Sequence, residues 1–176
     1  RLCRDWSSDV CSSDLAGARM ARLLIVAVAA KAPAWAQAAC AEYLKRMPRG
    51  FETALETVRP EPRSAGKPLE RLLALEAVRI RGRLPRGARL VALDERGREL
   101  SSEQFASQLR RWLDDGPPTA FAIGGPDGLD PALRREAALE LRLSALTLPH
   151  ALAQVVLCEQ LYRAASLLGG HPYHRA

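Results

Sequence analysis

The sequence has few cysteines and no long apolar run, and each shortage excludes a class of protein. Two of its four cysteines, Cys3 and Cys11, fall among the first nineteen residues, whereas Cys40 and Cys158 lie far apart. Isolated cysteines provide neither a disulfide framework nor zinc-ligand spacing, which favours a reducing cytoplasm. The apolar run L-L-I-V-A-V-A-A after Arg22 is too short to span a membrane. The run resembles the hydrophobic core of a signal peptide. We instead predict a buried parallel strand, because the rest of the chain has an α/β pattern.

The first nineteen residues differ in character from everything that follows. They contain the Ser/Asp-rich stretch W-S-S-D-V-C-S-S-D-L, which has neither helical nor strand periodicity. This stretch resembles translated adapter sequence, so we expect residues 1–19 to be a non-native, disordered leader. We expect a single domain over residues 20–176, a length typical of one hydrophobic core.

Lysine is also scarce, although the chain is basic. The formal net charge is +6, yet only Lys31, Lys45 and Lys67 are lysines, and arginine supplies the rest. Heavy use of arginine and alanine indicates a GC-rich genome, so it is weak evidence that each arginine was selected to bind RNA. The charge still favours an anionic partner such as nucleic acid. The alternative is a soluble protein that is merely basic.

Strand-like and helical segments alternate along the domain. This pattern predicts an α/β fold with a mainly parallel five-stranded sheet flanked by helices. Ser101 and Gln104 form a capping box that begins the third helix, and Gly116 ends it. The Pro-rich stretch from Pro60 to Pro68 is either a flexible RNA-contacting loop or a solvated connector. The predicted strands are 23–29, 51–59, 89–94, 121–123 and a fifth from 139, and the main helices are 34–46, 69–81 and 151–168.

The stretch from Phe121 to His150 organises the rest of the chain. It predicts a strand, a glycine turn, a short helix capped by Asp130, a second strand and a stop at Pro149. We expect Gly124 and Gly125 to permit positive φ and to leave room for a ligand. Ligands of open α/β sheets lie beyond the carboxyl ends of strands, so we predict a site where the two strands of this stretch end. For the second of these ends, residues 143–148, the alternative is a plain buried strand.

Four motifs in this part of the sequence carry a family resemblance. They are I-G-G-P-D-G, L-S-A-L-T-L-P-H, L-Y-R-A and the late H-P-Y-H-R. In this order they resemble the SPOUT family of large-subunit ribosomal RNA pseudouridine N3-methyltransferases, and the likeness runs from about Met20 to Ala176. The resemblance implies a C-terminal trefoil knot, S-adenosyl-L-methionine as cofactor, 23S ribosomal RNA within the ribosome as substrate, a homodimer, and a cytoplasmic location with no membrane or metal.

The resemblance also assigns candidate site residues. The cofactor would be held by backbone of three segments, which comprise Leu93, Gly124, Leu143, Ser144, Ala145, Leu146, Thr147 and Leu148. Because the ring N3–H of pseudouridine is a weak acid, a base or a group that stabilises the ring anion should assist the reaction. The candidates for that role or for substrate positioning are His150, Arg163, His171, Tyr173 and His174, with Tyr173 and Arg175 as RNA contacts.

Alternatives stay open for several of these assignments. Tyr162 and Arg163 could simply pack and pair on their helix, and the tail that contains His171 and His174 could fray or bind a metal. For the whole chain, the first alternative is a 2′-O-ribose methyltransferase of transfer RNA on the same knotted fold. The second is a non-enzymatic, ribosome-associated RNA-binding module.

Overall fold

The computed structural model describes residues 20–63 and 66–170 of the chain. Within these residues, ten elements follow one another in strict β/α alternation, as the sequence pattern predicts. They are β1 (Ala21–Val28), α1 (Ala34–Lys45), β2 (Phe51–Val58), α2 (Leu69–Arg81), β3 (Arg89–Glu99), α3 (Ser102–Asp115), β4 (Thr119–Ile123), α4 (Pro131–Glu136), β5 (Leu139–Arg142) and α5 (His150–Leu168).

The five strands form one sheet in the order β2-β1-β4-β3-β5, and every pairing is parallel. The predicted parallel α/β sheet is therefore confirmed. All five residues of β4, the central strand, are buried. Because parallel strands share a direction, the carboxyl ends of all five meet at one edge of the sheet. The trefoil knot stays a prediction.

Local sequence signals explain where the helices begin. The Ser101 side chain accepts a hydrogen bond from Gln104 N at 3.2 Å, and Gln104 Oε1 accepts one from Ser101 N at 2.9 Å. Asp130 Oδ1 accepts from Leu133 N at 3.0 Å, with Pro131 at the first helical position. These bonds satisfy amide groups that have no partner within the first turn of a helix. The other three helices, α1, α2 and α5, each follow a proline.

The sheet has two faces that are covered differently. One face, here called the aromatic face, packs under α1, α3 and α5 and contains Phe105, Trp112 and Phe121. The rings of Phe105 and Trp112 meet that of Phe121 edge-on, with centroids 6.3 and 6.1 Å away. The other face, here called the ion-paired face, packs under α2 and α4 on smaller aliphatic side chains. Above that aliphatic layer lie ion pairs such as Arg63–Glu76 and Arg81–Glu136.

Strand β3 departs from the prediction that it ends at Asp94. It continues to Glu99, but its pairing with β5 is interrupted: Leu141 is the partner of Leu93 and again of Arg98. The intervening residues 94–97 form a bulge, hereafter the β3 bulge. A Cβ atom at Gly97 would lie 2.7 Å from the carbonyl carbon of Glu140, so the close approach of β5 requires glycine there.

Cys40 and Cys158 are both buried and free, on helices α1 and α5 that pack together. A hydrogen bond with Cys40, reinforced by burial, raises the pKa of the Cys158 thiol well above its ordinary value. A buried thiol of this kind is a core residue rather than a nucleophile. Within residues 20–63 and 66–170, no helix combines the length and apolar character that crossing a membrane requires. The leader prediction for residues 1–19 lies outside the described residues.

Candidate functional site

An open cleft of about 580 Å³ lies at the carboxyl edge of the sheet. Its walls come from the β3 bulge, from the glycine turn after β4 and from the loop after β5, together with His150 at the start of α5. The strand pattern placed a ligand beyond β4 and β5, and the family resemblance added Leu93 at the end of β3, which lies between these two strands in the sheet. Three strand ends therefore contribute to one site, as is usual for open α/β sheets.

Most of the predicted cofactor residues line this cleft. The loop 143–148 is not a buried strand, because β5 ends at Arg142 and the Leu146 side chain is 78% exposed. Ser144 shapes this loop, since its Oγ accepts a hydrogen bond from Leu146 N at 2.9 Å. Ala145 is the one predicted cofactor residue not found in the cleft wall. The predicted residues in the wall are Leu93, Gly124, Leu143, Ser144, Leu146, Thr147 and Leu148.

The glycine turn requires its glycines for reasons other than those predicted. Gly128, with φ 84°, is the residue of this turn that takes positive φ, rather than Gly124 or Gly125. A Cβ atom at Gly124 would lie only 2.4 Å from the carbonyl carbon and oxygen of Gly128. Gly124 is therefore required by the turn's own backbone, which closes through Gly128 N to Gly125 O at 3.0 Å. Any side chain at Gly124 would disrupt the turn before it met a ligand.

An arginine from α4 ties the β3 bulge to the neighbouring strand. Arg134 Nη1 donates to Asp94 Oδ2 at 2.6 Å, and Arg134 Nε lies 3.5 Å from Glu140 Oε2. The other Asp94 oxygen accepts a hydrogen bond from Arg96 N at 2.9 Å, which fixes the start of the bulge. The Asp94 side chain is 10% exposed and that of Arg134 is 28% exposed, so water screens the pair only in part. Sequence reasoning missed Arg134, because one arginine among many carries no signal of its own.

A second arginine ties the glycine turn to the Pro-rich loop. Arg63 donates to Asp127 Oδ2 from Nη2 at 2.9 Å and to the buried Glu76 carboxylate from Nη1 at 2.5 Å. Burial alone would lower the pKa of the Arg63 guanidinium, but its hydrogen bonds to Glu76 and Asp127 outweigh burial and raise it. Arg63 therefore stays charged and joins the turn to α2. At Arg63 the Pro-rich loop therefore contacts helix α2 and the glycine turn of its own chain.

A smaller cavity of about 330 Å³ adjoins the cleft and shares Pro126 and His150 with it. Its other walls come mainly from the segment that follows β1, from Pro60, and from the first turns of α5. Among these wall residues is Gln154, whose side chain is 2% exposed. Sequence reasoning missed this cavity, because its walls come from four separate segments.

The predicted catalytic residues are not all brought together. His150 lies in the wall of both cavities. Arg163 instead pairs with Glu159 one turn before it, with Nη2–Oε1 2.8 Å, and is no part of the cleft wall. Arg163 lies thirteen positions after His150 on the helix, roughly 20 Å along the axis. His171, Tyr173, His174 and Arg175 lie outside the described residues, and the described part of the chain holds no cluster of metal-ligating side chains.

The chain is similar to known proteins over nearly all of its domain. A family model described as "Predicted SPOUT methyltransferase" matches residues 21–174. Ribosomal RNA large subunit methyltransferase H of Verminephrobacter eiseniae is 56% identical over 154 residues, which cover 88% of this chain and 99% of the relative. The protein of the same name from Nitrosospira multiformis is 53% identical over 155 residues, with the same two coverages.

One solved structure supports the fold independently. The crystal structure of a probable methyltransferase from Bordetella pertussis Tohama I superposes with a TM-score of 0.51 and 19% identity. The match covers 84% of this chain and 95% of that one. At this identity the likeness concerns the fold alone.

Proposed function

The chain belongs to the SPOUT methyltransferase family, and from that premise we propose that it transfers a methyl group from S-adenosyl-L-methionine to N3 of a pseudouridine in 23S ribosomal RNA. The observation that carries the proposal is the cleft at the ends of β3, β4 and β5. It coincides with the two motifs that point to the family, I-G-G-P-D-G and L-S-A-L-T-L-P-H. The proposed setting is the ribosome in the cytoplasm.

The residues of the cleft fit the proposed cofactor. Adenine has flat apolar faces and a polar edge, so it suits a site made of leucine side chains and free backbone groups. The loop 143–148 offers both, since Leu143, Leu146 and Leu148 line the cleft and the loop backbone is not part of the sheet. When bound, S-adenosyl-L-methionine supplies an electrophilic methyl group on a sulfonium centre. The chain's own contribution is to hold the acceptor in line with it and to exclude water.

His150 is the described side chain best placed to assist the acceptor. It begins α5 and lies between the cleft and the second cavity. A neutral imidazole there can accept the N3 proton of pseudouridine as the ring nitrogen becomes nucleophilic. Alternatively, it holds the ring by a hydrogen bond while the proton leaves to water. Replacement of His150 by Asn separates these roles, because Asn can donate a hydrogen bond but cannot act as a base at neutral pH.

We propose that the enzyme is a homodimer in which the tail of one chain completes the site of its partner. Helix α5 has 19 residues, which places Leu168 about 27 Å along the axis from His150. Tyr173 follows Gly170 by three residues and can reach at most about 11 Å further. This reach is shorter than the axial distance back to His150, which supports a site completed by the tail of a partner chain.

Two of the exposed apolar residues support such a dimer. Trp35 is 56% and Leu152 38% exposed, and both lie in the first turn of their helices at the carboxyl edge of the sheet. The rest of α5 is largely covered by the sheet, α1 and α3. We therefore expect a small contact area, centred on the first turns of α1 and α5.

The reaction is tested with ribosomes that lack the modification and with radiolabelled S-adenosyl-L-methionine. We expect label in 23S ribosomal RNA, at N3 of one pseudouridine by nuclease digestion and mass spectrometry. Label in the ribose of transfer RNA would support the alternative enzyme instead. A protein that binds ribosomes but transfers no methyl group, and whose melting temperature is unchanged by the cofactor, would be the non-enzymatic module.

The shared site is tested by mixing two inactive chains. One chain is truncated after Gly170, and we expect it to retain cofactor affinity by calorimetry but to lose methyl transfer. The other carries Gly124→Ala, which disrupts the glycine turn. A mixed dimer of the two contains one intact cleft beside one intact tail, so co-expression should restore activity. If truncation leaves methyl transfer at the normal rate, or if light scattering finds a monomer at micromolar concentration, the shared site is wrong.

A further inference from the structure

The second cavity contains a buried polar side chain without a partner. Gln154 is 2% exposed, and its Nε2 makes no hydrogen bond within the described residues. A buried amide donor that is left unpaired destabilises the folded chain, so such groups are rare unless they serve a purpose.

The other walls suit a flat ring attached to a phosphate. Pro33, Pro60 and Pro126 contribute rigid apolar surfaces, and small residues such as Ala29 and Ala30 leave space between them. Lys31 lies exposed in the same wall and makes no ion pair in the described part of the chain. A volume of about 330 Å³ is at the lower end of the range for small-molecule sites. These walls offer apolar contact to a ring, one buried donor and one cation.

We propose that this cavity is the subsite for the acceptor nucleobase, and that Gln154 Nε2 donates a hydrogen bond to a ring carbonyl oxygen next to N3. This inference rests on the proposed function. In a pyrimidine ring of the uracil type both neighbours of N3 are carbonyl carbons. When N3 loses its proton, the negative charge spreads onto those oxygens, so a donor there stabilises the anion that forms. To enter the cavity, the acceptor nucleotide would turn out of the RNA base stack, and Lys31 would contact the backbone phosphate beside it.

The position relative to the cleft supports this assignment. His150 and Pro126 are shared by the two cavities, so an acceptor ring in one lies next to a methyl donor in the other. His150 would then face N3 while Gln154, one helical turn further along α5, faces the adjacent oxygen. Gln154 is thus a substrate-positioning residue that also stabilises developing charge, whereas cofactor binding is left to the cleft.

The test is Gln154→Met, which keeps the approximate shape and removes the donor. We expect kcat/KM for unmodified ribosomes to fall about 3- to 10-fold, the loss typical of one hydrogen bond. The affinity for S-adenosyl-L-methionine by calorimetry should stay within a factor of two. The melting temperature should stay the same or rise, because the variant no longer buries an unpaired amide. The matched control is Ser166→Ala, which removes another buried unpaired polar atom of α5 away from both cavities.

Two other results would overturn the subsite. In the first, Gln154→Met methylates ribosomes like the parent chain. In the second, it loses activity in step with its melting temperature or its dimerisation, which would make Gln154 a structural residue. Should the Met variant fold poorly, Gln154→Glu replaces it: exchanging the donor for an acceptor should reduce kcat/KM at least as much. A parent chain that methylates no ribosomes at all would instead refute the proposed function, so the two failures are distinguishable.

Discussion

The two faces of the sheet use different physical interactions, and this difference separates stability from ligand binding. The aromatic face buries large rings under three helices, whereas the buried residues of the other face are all aliphatic. The ion-paired face packs smaller side chains, and its arginines reach the loops of the cleft through Asp94 and Asp127. We therefore expect the aromatic face to contribute more of the folding free energy, and the ion-paired face to set the positions of the loops around the cleft.

The largest expected effect comes from the aromatic face. Phe121→Ala removes a fully buried ring that contacts both Phe105 and Trp112, and should lower the free energy of unfolding by about 3–5 kcal/mol. Urea denaturation measures this, and calorimetry on the folded protein should find the cofactor affinity unchanged. Val78→Ala, at a residue 62% exposed, is the control that should change neither quantity. A much weaker cofactor affinity in Phe121→Ala would show that the aromatic face also determines ligand binding.

A substitution on the ion-paired face should lower both the free energy of unfolding and the cofactor affinity. Glu76→Gln keeps the shape of a carboxylate that is 3% exposed but removes the charge that holds Arg63. We expect a loss of about 1.5–3 kcal/mol of stability, as for hydrogen bonds to charged groups. Cofactor affinity should fall as well, because Arg63 also holds Asp127 of the glycine turn. Glu70→Gln, exposed on the same helix, is the matched control.

Arg134 should matter more for binding than for stability. Arg134→Met unties Asp94 from α4, and a partly exposed pair of this kind contributes only about 1 kcal/mol to folding. The loosened β3 bulge should weaken cofactor binding about tenfold, which corresponds to about 1.4 kcal/mol. Arg135→Met is the control, since the neighbouring side chain is exposed. Equal losses in the two variants would show that net charge matters, not the tie to Asp94.

The smallest effect belongs to the surface pair Arg81–Glu136. Its hydrogen bond from Arg81 holds the pKa of Glu136 below its ordinary value. The pair therefore adds stability above the unfolded-state pKa, and that contribution disappears as the pH falls through the lower folded-state pKa. Urea titrations of Glu136→Gln and the parent chain should differ slightly at neutral pH and converge in acid. A gap that widened in acid would contradict the direction of this shift.

The fold was largely predictable because its signals are local. Apolar runs such as that of β1, the capping box at Ser101 and the proline before α5 each depend on a few neighbouring residues. Helix α2 was predicted at its observed bounds, Leu69–Arg81, for the same reason. The extension of β3 beyond Asp94 was missed, because the second half of that strand is polar and its pairing depends on β5.

The site was predictable only where it is made of backbone. The glycine turn and the loop 143–148 have recognisable sequences, so their place in the cleft was expected. The arginine ties and Gln154 were not, since Arg63 and Asp127, or Gln154 and Lys31, come together only through the fold. The expectation that Gly124 takes positive φ was wrong for a similar reason. The backbone of Gly128 is what excludes a side chain at Gly124, and sequence reasoning placed Gly128 in a turn but not in contact with Gly124.

The β3 bulge has a consequence for how such a cleft changes over generations. Leu141 is paired on both sides of the bulge, so the bulge is defined by the four residues between Leu93 and Arg98. Exchanging Glu95 or Arg96 alters a side chain and leaves the path of the chain as it is, whereas Asp94 and Gly97 hold the bulge in shape. Losing one residue shifts Arg98 and Glu99 by one step and turns each to the opposite side of the sheet. Point substitutions should therefore accumulate in the bulge among descendants, while insertions and deletions are eliminated by selection. The number of residues between Leu93 and Arg98 should thus be inherited more faithfully than their identities.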